Sequence, residues 1–218
     1  MQRKSGSDYD AFATEWNRTR RRNWAELSFA SELLSAKSIL DAGCGNGRLV
    51  GWLREQGFRG GYLGVDASQE LLKFARQNFP TEKFDFADLR DFHAKEKFEA
   101  IFCVAVLHHF SAREEQLRVL RNLHESLEEG GRIFLTVWNL WQPRFWSALF
   151  KSLLTFKFRD CRIPFGKIAR RKLFAFRRRE LENLLEQTGF RNVEVFYARH
   201  AEKTNCLRGR NLIVVAKK

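Results

Sequence analysis

The segment Asp41-Ala-Gly-Cys-Gly-Asn-Gly47 places three glycines and an asparagine behind an acidic residue, at the end of the apolar run Ser38-Ile-Leu. A helical pattern, Leu49, Trp52 and Leu53, follows it. A glycine loop between a strand and a helix presents backbone N–H groups close to a ligand, because residues without a β-carbon leave room for it. Asp66 lies 21 residues after Gly45, at the end of the next apolar run, where a carboxylate accepts hydrogen bonds from both hydroxyls of a ribose. Asp88, just past a third run, is positioned to take an adenine exocyclic amine while the Leu89 backbone reaches the ring edge. Asp41 is expected to order the loop and, directly or through water, to hold an amino group. Asn46 in the loop, Ala67 beside Asp66 and Val104 at the end of a fourth run complete the expected cofactor contacts. A lone glycine loop is weak evidence, but acids at all three places point jointly to an adenosine-containing cofactor. The spacing Gly43-x-Gly45-x-Gly47 is not the G-x-G-x-x-G that seats a pyrophosphate, which argues against a nicotinamide dinucleotide. Cys44 sits beside the cofactor rather than opposite a substrate, so it is read as a packing residue, not a nucleophile.

The segment after the fourth run, Cys103-Val-Ala-Val-Leu-His-His-Phe110, should border the acceptor. It holds no Asp or Asn side chain to accept the protons of an amine, and no Pro, which disfavours an amine substrate. His108 and His109 have two readings, as general base or substrate hydrogen-bonding groups, and as structural imidazoles. No CxxC pair or other metal-ligand spacing occurs among Cys44, Cys103, Cys161 and Cys206, so no metal is expected.

These residues need a scaffold that alternates strands and helices. Ser38–Asp41, Tyr62–Asp66, Lys83–Ala87, Phe98–Val104 and Arg132–Trp138 read as five strands. Between them lie amphipathic helices, one capped by Ser68 and closed by Pro80, another carrying Leu117, Leu120, Leu123 and Leu127 up to Gly130-Gly131. A helix over 180–188, capped by Gly189, and strands near 192–197 and 211–216 finish the chain. The pattern predicts one α/β, Rossmann-like domain over 1–218: a seven-stranded, mostly parallel sheet with helices on both faces. Residues 1–36 read as a helical preface, and 139–178, rich in Phe, Trp, Arg and Lys, as an insertion. Phe145, Leu149, Leu153 and Phe156 recur near helical spacing there, with Lys151, Lys157, Arg159 and Arg162 close by. A helical lid on the sheet edge is the first expectation, direct RNA contact the second, and a peripheral membrane surface the least expected.

The net charge of +13 is unevenly placed. Residues 1–138 hold 20 Lys and Arg against 20 Asp and Glu, whereas 139–218 hold 19 against 6. Positive charge gathered on one segment suits a polyanionic partner; a solvated basic face is the alternative. Scattered cysteines suit a reducing cytoplasm, and the polar start Met1–Ser7 and the lack of a long apolar run predict neither a signal peptide nor a transmembrane segment.

Ile39-Leu-Asp-Ala-Gly-Cys-Gly-Asn-Gly-Arg-Leu49 resembles the first motif of class I methyltransferases, which implies S-adenosylmethionine as cofactor. Further segments narrow the resemblance: Tyr9-Asp10 with Trp16–Arg20 and Trp24, Val104–Ser111, Gly130–Trp138 with Gln142, Arg159–Phe165, Phe174–Leu181 and Arg210–Lys218. Together these resemble the tRNA wobble-uridine methyltransferases that esterify 5-carboxymethyluridine. That resemblance implies tRNA as partner, with Arg20 and Arg171 fixing the acceptor carboxylate. Trp24, Trp138 and His109 would border an unpaired base, His108 would hydrogen-bond the substrate, and His109 with Arg20 would stand nearest the chemistry. A small activator subunit accompanies eukaryotic members. Arg171-Lys-Leu-Phe-Ala-Phe176 lacks the tyrosines and histidine of the family pattern, leaving the nucleoside itself open. A small-molecule or lipid-precursor O-methyltransferase and a non-catalytic partner on the same fold remain the alternatives.

Overall fold

The computed structural model describes residues 10, 13–19, 25–154, 158–165 and 169–218. Arg20 and Trp24 therefore lie outside the described residues, as do Tyr9, Phe12 and Phe156. Of the preface, helix α1 (Ala13–Thr19) and a 3-10 helix over Ala25–Ser35 are described.

Five parallel strands follow in sequence: β1 (Ser38–Ala42), β2 (Gly61–Asp66), β3 (Lys83–Phe86), β4 (Phe98–Val104) and β5 (Leu127–Trp138). Helices α2 (Arg48–Glu55), α3 (Gln69–Asn78) and α4 (Arg113–Ser126) connect them. Ser68 caps α3 through Leu71 N–H, and Gly57, with φ 89°, closes α2. Helix α4 stops at Ser126, four residues before the glycine pair expected to end it, and Gly130 at φ 76° instead turns the chain within β5.

The insertion forms α5 (Trp146–Leu154) and a separate hairpin, β6 (Asp160–Phe165) with β7 (Ala169–Phe174). Its apolar stripe is not the one expected. Leu149 is buried, but Leu153 is exposed together with Trp146, Phe150 and Leu154. Leu149, Cys161, Ile163, Leu173 and Ala175 give the insertion a small core of its own, on which Trp138 and Trp141 pack.

After α6 (Arg178–Gln187) come β8 (Arg191–Arg199), β9 (Glu202–Thr204) and β10 (Asn211–Lys217). The sheet has eight strands, β3-β2-β1-β4-β5-β10-β8-β9, not the seven expected. The additional one is β9, where the chain doubles back through His200 at φ 56° and pairs with the end of β8. Three polar residues carry no hydrophobic alternation, so the sequence pattern is blind to them.

Successive residues of the central strands enter opposite layers, as the period of two requires. Leu40, Ile101, Leu135 and Val214 pack with Leu120 and Leu123 of α4 and Leu181 and Leu184 of α6. Ile39, Phe102, Phe134 and Ile213 pack the other way, against Leu49 and Leu53 of α2, Leu72 of α3 and Leu27 of the 3-10 helix. With both faces covered, the free ground for a site is at the strand ends. The chain winds outward one way from β1 to β3 and the other way from β4 to β5. The loops after β1 and β4 therefore face each other at the switch point.

Candidate active site

At the switch point the glycine loop is built as its spacing predicts. Gly43, Gly45 and Gly47 have φ of 88°, 57° and 79°, the left-handed region that favours glycine. Gly43 and Cys44 donate their N–H groups to the Val65 carbonyl at 2.8 and 3.0 Å, tying the loop to β2. A β-carbon on Gly43 would lie 2.2 Å from Val106 Cγ2, so the loops after β1 and β4 touch only because this residue has none. Ala105, just before Val106, is itself at φ 60°, held by its N–H to the Thr136 carbonyl (2.9 Å) and Thr136 Oγ1 (3.0 Å). Val104 ends β4 buried beside this turn.

Of the three acids, Asp66 bonds to the loop directly, and Asp41 lies buried two residues before Gly43. The Asp66 carboxylate accepts from Gly45 N–H and from Ser68 N–H, each at 2.8 Å, and lies next to Ala67. Burial raises its pKa to about 6 against the pull of those N–H groups. Asp41 is buried and accepts from the Tyr62 hydroxyl at 2.8 Å; burial lifts it to about 7, with Tyr62 opposing. Asn46 donates to Asn17 Oδ1 of α1 at 2.7 Å, while its buried Oδ1 has no hydrogen-bond partner among the described residues. Asp10 of the preface accepts from Ser68 Oγ, so the preface closes over this end of the sheet.

Asp88, expected to take the adenine amine, is paired within the protein. The guanidinium of Arg90 grips it at 2.9 and 3.1 Å through Nε and also reaches Glu115 at 2.8 Å. A carboxylate has about four lone-pair sites, so an adenine amine can still share it. The buried Leu89 gives its carbonyl to Asn122 Nδ2 at 2.9 Å, and Asn122 also holds the Arg90 carbonyl at 3.0 Å. Cys44 is buried among these acids and its thiol is pushed well up, which fits packing and not nucleophilic chemistry.

Beyond β4, four of the residues expected at the acceptor come together. His108 is fully buried, and its Nδ1 accepts from Trp138 N–H at 3.1 Å. The proton of its neutral ring therefore sits on Nε2. The His108 and His109 rings are 4.7 Å apart, and His108 lies 6.0 Å from the Trp138 ring. Arg171, brought in by β7 of the insertion, is buried with its guanidinium carbon 4.6 Å from the Trp138 ring centroid. Burial and this cation hold His108 well below the usual imidazole range and His109 at about 4, although His109 also hydrogen-bonds the Lys172 backbone. The cluster presents a fixed positive charge beside two neutral imidazoles, a setting for an anion.

Sequence reasoning missed Tyr62, Val106, Thr136, Asn122 and Arg90. Val106 and Thr136 fall inside segments that carry the family resemblance but were not singled out there, and each of the five is tied to the site by strand register or by loop closure across the fold. Thr136 was in principle legible, since the parallel pairing of β4 and β5 sets it opposite Val104.

The donor set fits S-adenosylmethionine. A glycine cradle that a β-carbon would fill, the orphaned Asn46 Oδ1 and two carboxylates displaced upward by burial all call for a cationic, hydroxyl-rich ligand. A doubly wound sheet with this loop and these acids at its switch point defines the class of S-adenosylmethionine-dependent methyltransferases. The model of the methyltransferase domain family matches residues 15–195, and the chain belongs to that family. A methyltransferase crystal structure from Clostridium acetobutylicum shares the fold with a TM-score of 0.70 over 97% of this chain and 99% of that one, at 15% identity. Two curated relatives are each named tRNA (carboxymethyluridine(34)-5-O)-methyltransferase. The Arabidopsis thaliana protein is 33% identical over 60% of this chain and 31% of its own length. The Saccharomyces cerevisiae protein is 31% identical over 62% of this chain and 47% of its own length. The chain thus matches less than half of each.

Proposed function

We propose that this methyltransferase esterifies a carboxylate on a modified wobble uridine of tRNA, using S-adenosylmethionine. The observation that carries this reading is the buried Arg171–Trp138 pair beside two histidines kept neutral. The likeness to carboxymethyluridine methyltransferases supports it, as does the charge excess of residues 139–218.

Bound S-adenosylmethionine supplies an electrophilic methyl group on a sulfonium. Asp66 would hold the ribose hydroxyls, Asp88 and the Leu89 backbone the adenine, and Asp41 with Asn46 the amino-acid end. The Gly43–Gly47 loop, Ala67 and Val104 would shape the cradle around it. On the other side Arg171 would orient the acceptor carboxylate, while Trp138, His108 and His109 border the base. A carboxylate is already anionic near neutral pH, so one of its oxygens could take the methyl group that the sulfonium would supply, leaving a neutral thioether, with no proton for the protein to remove. His109, with a pKa near 4, then orients the acceptor without acting as a base. Four free cysteines, three of them buried, suit the cytoplasm as the place of work. Among the described residues no helix is long and apolar enough to cross a membrane.

The test is methyl-labelled S-adenosylmethionine with bulk tRNA and, in parallel, a small-molecule and lipid extract. Base-labile label in tRNA, recovered on one nucleoside after digestion, supports the reading. Label confined to the extract refutes it, and absence of both label and cofactor binding would leave a non-catalytic partner.

A further inference from the structure

A second concave site lies outside the acceptor cluster, where the insertion meets α6. It is a cavity of about 450 Å³ lined by Arg113, Arg159, Arg177 and Arg179, with Phe158 and Glu180. Three separate parts of the chain bring these cations together: the start of α4, the turn before β6 and the first turn of α6. Among the described residues Glu180 is the one acid in the lining, and it is already engaged, accepting from Arg159 Nη1 and from Arg177 N–H. Three positive charges are therefore in excess there. Arg159 is held in place from several sides: its N–H donates to Ser152 Oγ at 3.1 Å, its carbonyl accepts from Ala175, and its guanidinium lies 4.7 Å from the Phe174 ring. Arg177 is spread over the Trp141 ring at 4.8 Å, and Arg113 is hydrogen-bonded to Gln187 at 2.9 Å. Phe158 is half exposed at the rim.

The cavity is connected to the acceptor cluster by short covalent paths. Arg113 follows His109 by four residues. Phe174, under Arg159, is three residues along β7 from Arg171, or about 10 Å of strand. Nothing in a neutral or cationic ligand would repay gathering four guanidinium groups at this spot, whereas a guanidinium fork matches phosphate oxygens in geometry as well as charge. We propose that this cavity binds backbone phosphate of the RNA strand carrying the acceptor, one or two nucleotides from it, with Phe158 available to a splayed base. This inference rests on the RNA reading above, and deepens it by naming where the strand leaves the active site. The Arg171 cluster would then hold the acceptor group, and the arginine cavity would set the path of the strand.

The test is binding of an anticodon stem–loop RNA by the full chain over about 50–200 mM salt, comparing wild type with Arg177→Gln/Arg179→Gln. Arg177 and Arg179 are exposed, so thermal melting and S-adenosylmethionine affinity should match wild type and certify the fold. Each phosphate contact adds about 0.7 to the slope of log affinity against log salt for a single strand. Loss of two contacts should flatten the slope by about 1.4, so the affinity advantage of wild type shrinks about sevenfold across that range. A charge-matched control, Arg191→Gln/Arg199→Gln on β8, removes two exposed cations elsewhere and should leave the slope within about 0.3 of wild type. Equal flattening in both variants would mean diffuse attraction and would overturn the site. An unchanged slope in Arg177→Gln/Arg179→Gln, with wild type still binding and methylating RNA, would overturn the site alone. Wild type that neither binds nor methylates RNA would sink both this site and the RNA reading.

Discussion

Replacing Gly43 by alanine tests whether the two loops at the switch point are locked by the absence of one β-carbon. The new methyl would lie 2.2 Å from Val106 Cγ2, 3.1 Å from Cγ1 and 3.2 Å from Cβ, with the backbone at φ +88°. Rotating the valine does not clear the site, because its Cβ is itself too close. Nor can Val106 withdraw easily: Ala105 before it is pinned to Thr136 twice, and its own carbonyl accepts from His109 N–H at 2.9 Å. A left-handed alanine costs about 1–3 kcal/mol, and overpacking adds about 1–3 kcal/mol. For a chain of this length each kcal/mol lowers Tm by about 2–4 °C, so a loss of roughly 10 °C is expected near the middle of the range. Cofactor affinity should fall as well, since the loop N–H groups move with Gly43. Thermal melting and calorimetric titration with S-adenosylmethionine read the two effects. Adding Val106→Ala removes the atoms at 2.2 and 3.1 Å and should restore about 1–3 kcal/mol relative to the sum of the single changes. The left-handed strain would persist. A single variant within about 0.5 kcal/mol of wild type, or strict additivity in the cycle, would refute the interlock.

Three further predictions bear on the site. Asp41, raised to about 7 in the free protein, must ionise to face a cofactor ammonium, so affinity should rise about tenfold per pH unit below 7 and level off above it. Because this folded-state pKa lies above the unfolded one, the same group makes the free protein less stable as pH climbs from about 4 to 7, by up to about 4 kcal/mol. Titrations of wild type and Asp41→Asn check both effects; an equally steep affinity profile in the variant would exclude Asp41 as the source. Arg171→Met keeps apolar contact with Trp138 but removes the charge, and should raise the acceptor KM about 10–100-fold, with cofactor affinity within about twofold. The His109 pKa, followed by NMR, should rise in that variant, and an unmoved imidazole would contradict the proximity of the cation. Asn122→Ala leaves the Leu89 and Arg90 carbonyls without their donor, and should weaken cofactor binding and cost about 1–3 kcal/mol in denaturant unfolding.

How much was legible in the sequence follows from how local each cause is. The glycine loop, Asp66 and the Ser68 cap are decided within a strand–loop–helix unit, and they stand where spacing placed them. Long apolar strands such as Phe98–Val104 declare themselves by composition and length. Strand β9 does not, because three polar residues are recruited only by the edge of a sheet already formed. The partner of Asp88 was hidden for a related reason. Arg90 lies two residues away in sequence, yet the choice between an open carboxylate and an ion pair depends on Glu115 of α4 and on the loop that Asn122 holds. His108 and Trp138 were singled out for residue type alone; their contact comes from the parallel pairing of β4 with β5, and Arg171 joins them only because the insertion folds as a hairpin rather than as a helix alone.

The electrostatic division of the site follows from the charges that the proposed reaction consumes. A carboxylate anion and a sulfonium cation become a neutral ester and a neutral thioether, so charge is lost on the way to the transition state. Surroundings that stabilise the separated charges too well would slow the step. The protein answers this on both sides. The carboxylates nearest the glycine loop are buried and reluctant to ionise, with Asp41 near 7 and Asp66 near 6. On the acceptor side one guanidinium is spread over an indole, and both imidazoles are held neutral instead of adding two further cations. Under the proposed reaction one cation would bind and orient the carboxylate, and its loss should therefore fall on KM more than on kcat. A protonated His109 would tighten the grip on the ground state without helping the transfer. Acidification toward pH 4 should accordingly depress kcat even at saturating acceptor, both by protonating the acceptor carboxylate and by charging His109. His109→Gln, which cannot be charged, should remove the part of that loss that belongs to the imidazole. Identical acid limbs in wild type and variant would show that the neutral state of His109 is irrelevant to the chemical step.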